Sequence, residues 1–329
     1  MKILVLRFSS IGDVVLCSPV VRCLKKQTEA EIHFLTKKNY RSLLDTNPYI
    51  DKVWAFEKEP AEILDALRKE KFTLVVDLHR NLRSLLLKIR LRRPSRSFSK
   101  LNIQKWILVN TGINLLPAVH IVDRYLETVS SLNVHNDGEG LDYFIPESEH
   151  VEVGEWSPEL QPGNYLCLAI GATHATKRMP YEKMQELCKQ APCPVVLLGG
   201  KDMEDIGQLL AESTGAIQLC GKLSLHQSAS FIQQAAAVVS PDTGMMHIAA
   251  ALRKPIGSIW GSTVPEFGMY PYFPTSAPDS RIFEVKNLPC RPCSKIGYSK
   301  CPKGHFNCMH QIKTGEIVQW LAEKMQTAG

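Results

Sequence analysis

Ser240-Pro241-Asp242-Thr243-Gly244-Met245-Met246-His247-Ile248-Ala249-Ala250-Ala251 reads as the end of a strand, a tight turn and the opening of a helix. Residues 237–240, apolar up to Ser240, supply the strand, and the small residues Ala249, Ala250 and Ala251 let the helix lie close on a sheet. A strand that feeds directly into a helix is the repeating unit of a parallel sheet. The first turn of such a helix has unpaired backbone N–H groups and the positive end of the dipole, which suit a phosphate or diphosphate. Thr243 and His247 are four residues apart and share one helix face. Taken singly, Asp242 would be a helix cap and His247 a core or surface histidine. The run as a whole joins several helix-start features to phosphate chemistry.

Outward from this run the alternation repeats. In the same half, strands are expected at 165–170, 194–198, 217–220 and 256–260, with helices from Tyr181, at 204–211, at 225–236 and, amphipathic and last, at 312–325. In the first half, strands are expected at 3–6, 31–36, 52–56 and 72–78. One helix there carries Val14, Cys17, Val21 and Leu24 on a single face, and others are expected at 61–68, 81–91, 103–110 and 122–132. Turn-rich breaks at Asn136-Asp137-Gly138-Glu139-Gly140 and Ser157-Pro158-Glu159-Leu160-Gln161-Pro162-Gly163 separate the halves. The pattern predicts an α/β chain of two Rossmann-like domains, residues 1–155 and 156–329.

The chain has 329 residues, enough for two domains that each bury a core. With 44% hydrophobic and 22% charged residues it has the composition of a soluble globular protein. No apolar run approaches the roughly 18–20 residues of a membrane helix. Residues 1–8 read as a strand rather than a signal peptide, so a cytoplasmic location is expected. Six of the ten cysteines (Cys17, Cys23, Cys167, Cys188, Cys193, Cys220) are scattered through apolar stretches, as reduced packing thiols would be.

Asp242-Thr243-Gly244 with His247, followed by Gly261-Ser262-Thr263-Val264-Pro265, resembles the signature of glycosyltransferase family 9, which includes the ADP-heptose:lipopolysaccharide heptosyltransferases. Ser9-Ser10-Ile11-Gly12-Asp13, directly after the first strand, is similar to that family's first loop, and matching segments extend to about Met309. The resemblance implies a GT-B fold, a donor nucleotide held mainly by the second domain, an acceptor held mainly by the first, and inversion at the anomeric carbon. It implies that Asp13 is the catalytic base; position alone would make Asp13 a first-turn acid of its helix. Lys177, in Gly171-Ala172-Thr173-His174-Ala175-Thr176-Lys177-Arg178-Met179-Pro180, corresponds to the donor-phosphate lysine, and Thr173 to a donor-contacting threonine. A cation there would stabilise the departing diphosphate without a metal, so no cofactor is expected beyond the ADP-sugar substrate. Glu204 and Leu223 stand where the family contacts the nucleoside, beside Asp242, Thr243, Gly244 and His247. Ser9, Ser10 and Gly12 are the matching acceptor residues.

Residues 80–105 carry Arg80, Arg83, Lys88, Arg90, Arg92, Arg93, Arg96, Lys100 and Lys105 and no acid. Such a block serves as a solvated face or as a seat for an anionic lipid-linked glycan at the inner leaflet, with Arg80 and Arg83 as acceptor-binding candidates and a peripheral membrane contact. No nucleic-acid motif accompanies it. Cys290, Cys293, Cys301 and Cys308, with His305 among them, suit either a structural zinc or packed thiols. Three rival functions stay open: a family relative using another nucleotide sugar or acceptor, a GT-B-fold sugar-nucleotide epimerase, and a non-catalytic nucleotide-binding module. A dinucleotide dehydrogenase is disfavoured, because Arg7-Phe8-Ser9-Ser10-Ile11-Gly12 lacks the G-x-G-x-x-G turn.

Overall fold

A computed structural model describes residues 1–275 and 280–328. In chain order the elements are β1 (Lys2–Leu6), α1 (Ile11–Val15), α2 (Ser18–Gln27), β2 (Glu31–Lys37), α3 (Ser42–Asp45), β3 (Lys52–Phe56), α4 (Leu64–Lys69), β4 (Leu74–Asp77), α5 (Leu82–Leu91), β5 (Ser95–Ser97), α6 (Asn102–Thr111), α7 (Ile121–Leu126), α8 (Val153–Trp156) and β6 (Leu166–Ala169). There follow α9 (Tyr181–Gln190), β7 (Val195–Leu198), α10 (Glu204–Thr214), β8 (Ile217–Gln218), α11 (Leu225–Gln234), β9 (Ala237–Pro241), α12 (Gly244–Ala251), β10 (Ile256–Trp260), β11 (Ser280–Glu284), α13 (Asn307–His310) and α14 (Thr314–Ala328). The chain divides into two compact units: Met1–Leu101 with Val119–Phe144, and Asn102–Ala118 with Ile145–Gly329.

The first unit holds a parallel sheet in the order β3-β2-β1-β4-β5. Residues Ile3, Leu4, Val5 and Leu6 are fully buried, as a strand covered on both faces requires. The single helix expected after β1 is two. Pro19 sits in the first turn of α2, where its missing N–H costs nothing, but it could not continue a helix from α1 because its ring would meet the carbonyl four residues back. The helix expected over 122–132 is α-helical only through Leu126 and then tightens to a 3₁₀ turn. The hydroxyls of Thr128 and Ser130 donate to the carbonyls of Tyr125 (2.6 Å) and Glu127 (2.9 Å), competing with the α ladder there. Arg22, 1% exposed, pins α2 to the end of the unit: its guanidinium donates to Asp137 (2.8 and 2.7 Å), to the Gly140 carbonyl (2.9 Å) and to Asp142.

The second unit holds a parallel sheet in the order β11-β10-β9-β6-β7-β8. Ile317, Trp320 and Leu321 of α14, spaced three and four apart, are buried in its core. Gly257 on β10 makes room for Trp320: a Cβ there would lie 3.0 Å from Trp320 and 3.1 Å from Phe283. Two strands had no sequence expectation, β5 and β11. Both lie at sheet edges, where one hydrogen-bonded neighbour suffices and an exposed Ser-Arg-Ser carries no apolar pattern.

Candidate active site

In each sheet the strand order reverses direction at one point, and ligands of open α/β sheets gather beyond the strand ends at that point. In the first unit it lies between β1 and β4. Arg7, the residue after β1, ties the two following loops together. It donates to the Ser9 carbonyl (2.7 Å), the Leu78 carbonyl (2.5 Å) and the Tyr125 hydroxyl (3.0 Å), and its Nη2 lies 2.6 Å from Asp13 Oδ2. The same carboxylate oxygen accepts from Ser10 N (3.3 Å) and Ser10 Oγ (3.0 Å), so Asp13 also completes a capping box on α1. Burial alone would raise the Asp13 pKa. The Arg7 charge and the Ser10 hydrogen bonds more than offset that, and the carboxyl is held below its ordinary value.

Across the switch, the buried Asp77 at the end of β4 shapes the next loop. Its Oδ1 accepts from the backbone N–H groups of His79 (3.0 Å) and Arg80 (2.7 Å), and its Oδ2 from Ser84 Oγ and Lys88 Nζ, both at 2.8 Å. His79 packs against Phe8 with the rings tilted at 45° and their centres 4.7 Å apart. Burial, reinforced by the charges of Arg7 and Lys100, pushes its pKa down to about 4, so its imidazole is neutral at physiological pH. Burial and Arg7 likewise lower the pKa of Lys100. The first unit thus presents an ionised carboxylate among cations. Arg7 and His79 were absent from the sequence candidates, and Lys100 was named only as one member of the basic block. The one available signal was Arg7, a charge directly after the apolar run 3–6.

Of the acceptor candidates, Ser9 and Ser10 lie in the loop after β1, Gly12 in the first turn of α1, and Arg80 in the loop after β4, donating to the Phe98 carbonyl (2.7 Å). Arg83 lies on α5 and pairs with Glu59 at 3.1 Å. The basic block is therefore not uncompensated, as its acid-free sequence suggested: Glu59 and Asp77 reach Arg83 and Lys88 from elsewhere in the chain, and Lys105 belongs to the second unit.

In the second unit the reversal lies between β6 and β9. The loops after these strands carry Lys177 and Asp242, whose Nζ and Oδ2 are 2.6 Å apart. Asp242 Oδ2 also accepts from Thr263 Oγ1 (2.9 Å), which brings in the loop after β10. Asp242 is therefore not the cap of α12. Thr243 holds the N-cap position with extended backbone and makes no side-chain cap bond, so the first-turn N–H groups from Gly244 onward keep their capacity for an anion. His247 is 2% exposed, Thr243 half-buried and Thr173 exposed. Glu204 begins α10 after β7, within 3.4 Å of where a Gly221 side chain would stand, and Leu223 follows β8. All the donor candidates outside helix interiors thus emerge at the C-terminal edge of one sheet.

The cysteine-rich segment braces these loops. Cys293 N donates to the Ser262 carbonyl (3.1 Å), and Arg291 donates to the carbonyls of Gly261 (2.7 Å) and Thr263 (3.1 Å) while pairing with Glu284. Tyr298 N donates to Thr176 Oγ1 at 2.8 Å. Cys290 Sγ lies 3.8 Å from His305 Nε2. Burial first, then the neighbouring Cys293, Cys301 and Cys290, push the Cys308 thiol up to about 12. Among the described residues, the group drawn within 4.8 Å is Glu31, His33 and Glu70, whose carboxylates are already paired with Lys2 and Lys52.

The model of glycosyltransferase family 9 (heptosyltransferase) matches residues 61–301. The chain belongs to this family. It is a glycosyltransferase, and its two parallel-sheet units are the Rossmann-like domains of the GT-B architecture. It is 25% identical over 289 residues to lipopolysaccharide heptosyltransferase 1 of Campylobacter coli, covering 80% of this chain and 84% of that one. The structure of the Escherichia coli ADP-heptose lipopolysaccharide heptosyltransferase II superposes with a TM-score of 0.74 at 20% identity, covering 99% of both chains. An iron-containing dodecameric glycosyltransferase from enterotoxigenic E. coli superposes with a TM-score of 0.60 at 14% identity, covering 99% of this chain and 76% of that one.

Proposed function

We propose that this family 9 glycosyltransferase moves a heptose from an ADP-sugar to an anionic, lipid-linked lipopolysaccharide-core acceptor, with inversion at the anomeric carbon and at the cytoplasmic face of the membrane. The observation that carries the reading is the Lys177–Asp242 pair at the β6/β9 switch, beside a helix start left without a side-chain cap. The names of the relatives supply the sugar and acceptor classes. Among the described residues no helix is long and apolar enough to cross a membrane, so the contact with a lipid-linked acceptor is peripheral in this reading.

In the proposed mechanism the acceptor hydroxyl oxygen attacks the anomeric carbon while the bond from that carbon to the diphosphate breaks. The hydroxyl proton passes to Asp13. Arg7 keeps Asp13 ionised but weakly basic, so proton transfer becomes favourable only once the attacking oxygen has begun to bond and its acidity has risen. Lys177 and the first-turn N–H groups of α12 hold the departing diphosphate. Calorimetry tests the donor half: ADP binds without divalent metal, and Lys177→Ala weakens both ADP binding and single-turnover transfer. ADP binding that requires magnesium, or ADP release without any acceptor, overturns the reading.

The same proposal gives Cys290, Cys293, Cys301 and Cys308 a structural metal, zinc or iron, that fixes the brace on the loop 261–265. Four thiols and an imidazole on one segment have the donor chemistry for either ion, and a solved glycosyltransferase of similar fold is described as iron-containing. Metal analysis of the purified protein should find about one ion per chain, and its chelation should lower the melting temperature. A metal-free protein whose melting is unchanged by chelator assigns the four cysteines to packing.

A further inference from the structure

Helix α5 is apolar on two opposite sides. Ser84, Leu87 and Leu91 are buried against the first unit. On the other side Leu82, Leu85, Leu86 and Ile89 stand 70%, 48%, 43% and 61% exposed. Their spacing of three, four and seven residues places them on one stripe about 100° wide. Arg83 and Arg90, seven apart, run along one margin of that stripe, and Arg92 and Arg93 stand at its end, all of them exposed. An exposed apolar stripe of four large side chains rimmed by charge is the mark of a surface that something covers.

The charge around the stripe says what kind of cover. From residue 78 to residue 122 the sequence holds no Asp or Glu, while Lys and Arg stand at 80, 83, 88, 90, 92, 93, 96, 100 and 105. Arg83 and Lys88 are paired, but among the described residues no ion pair engages Arg90, Arg92, Arg93 or Arg96. A second copy meeting this face symmetrically would set basic margin against basic margin. An anionic bilayer satisfies both features at once, with the leucines entering the headgroup boundary and the arginines meeting lipid phosphates.

We infer that α5 is a membrane-docking helix that seats the enzyme on an anionic phospholipid surface through the stripe Leu82, Leu85, Leu86 and Ile89. The inference deepens the lipid-linked-acceptor reading and rests on it for its purpose, but vesicle binding is measured without substrate and fails or succeeds independently of transfer. The test is co-sedimentation at low salt with phosphatidylcholine vesicles, plain or containing about 30% phosphatidylglycerol. The wild-type protein should bind the anionic vesicles about tenfold more tightly than the neutral ones. Leu82→Gln with Ile89→Gln should weaken that binding about tenfold with every cation still in place, and Arg92→Gln with Arg93→Gln should do likewise with the stripe intact. Leu82 and Ile89 are exposed, so the first variant should keep the wild-type melting temperature and its transfer rate on a water-soluble, delipidated acceptor. Equal binding to both vesicle types, or undiminished binding by Leu82→Gln with Ile89→Gln, overturns the proposal. So does a wild-type dimer in sedimentation velocity that this variant dissociates, since the stripe would then cover a second copy.

Discussion

The proposed mechanism makes Asp13 both a structural acid and a proton acceptor, and its contacts supply the structural half. The capping-box bonds from Ser10 and the 2.6 Å pair with Arg7 converge on Oδ2 and fix the side chain at the end of β1. Asn at this position keeps the shape and the capping capacity but cannot take a proton at neutral pH. Asp13→Asn should therefore slow single-turnover transfer by roughly 10²–10⁴-fold while ADP binding stays within about twofold, read by quenched-flow and calorimetry. A mutant retaining more than a tenth of the wild-type rate removes Asp13 from the mechanism. The pH dependence follows from the depressed carboxyl. If Asp13 is the base, its ionised form is the active one, and that form persists as pH falls until the folded-state pKa is reached, below the ordinary value of 3.8. The wild-type rate should thus be level from neutrality down to about pH 5. Arg7→Gln removes the charge that offsets burial, so its acid limb should move upward into that window.

At the scale of elements, the loops proposed to hold the donor are hydrogen-bonded to a segment that contributes none of the proposed ligands to the sugar nucleotide. Gly297 has φ +105°, and a Cβ there would stand 2.7 Å from His174 Cβ, in the loop that also carries Lys177. Gly297→Ala strains its own backbone and pushes that loop at the same time. It should cost about 1–3 kcal/mol of stability in denaturant unfolding and lower ADP affinity several-fold, although residue 297 would not itself touch the nucleotide. Unchanged ADP affinity in a folded Gly297→Ala protein would show that the brace is not coupled to the donor loops. The elements that sequence patterning missed or merged have two physical causes. The edge strands β5 and β11 are held by backbone bonds to one neighbour, and the division between α1 and α2 is set by one proline inside an otherwise continuous apolar face.

The whole molecule offers a probe of its two units. Of the five tryptophans, Trp106, Trp156, Trp260 and Trp320 belong to the second unit and Trp54 to the first. Tryptophan fluorescence therefore follows mainly the unit proposed to hold the donor, and Trp54→Phe makes it do so wholly. ADP at about 100 times its Kd should stabilise the fluorescence-detected transition by about 2.7 kcal/mol if only the folded state binds it. The shift should survive in Trp54→Phe and shrink in Lys177→Ala. A shift confined to the Trp54 signal would place nucleotide binding in the first unit instead.

The sequence by itself determined the α/β alternation, the phosphate-suited turn at Asp242-Thr243-Gly244 and the membership in glycosyltransferase family 9. These were legible because strand period, helix-start chemistry and motif spacing are all local in the chain. Tertiary structure alone decided the partners. Arg7 faces Asp13 and Tyr125, Lys177 faces Asp242 across 65 residues, Glu59 and Asp77 neutralise part of a block that looks purely basic, and Asn102–Ala118 joins the second unit. It also decided that α5 shows a second apolar face to solvent. Hydrophobic periodicity records that a residue is apolar but not whether anything packs on it, and the sign and strength of a charge's environment depend on groups brought close only by folding.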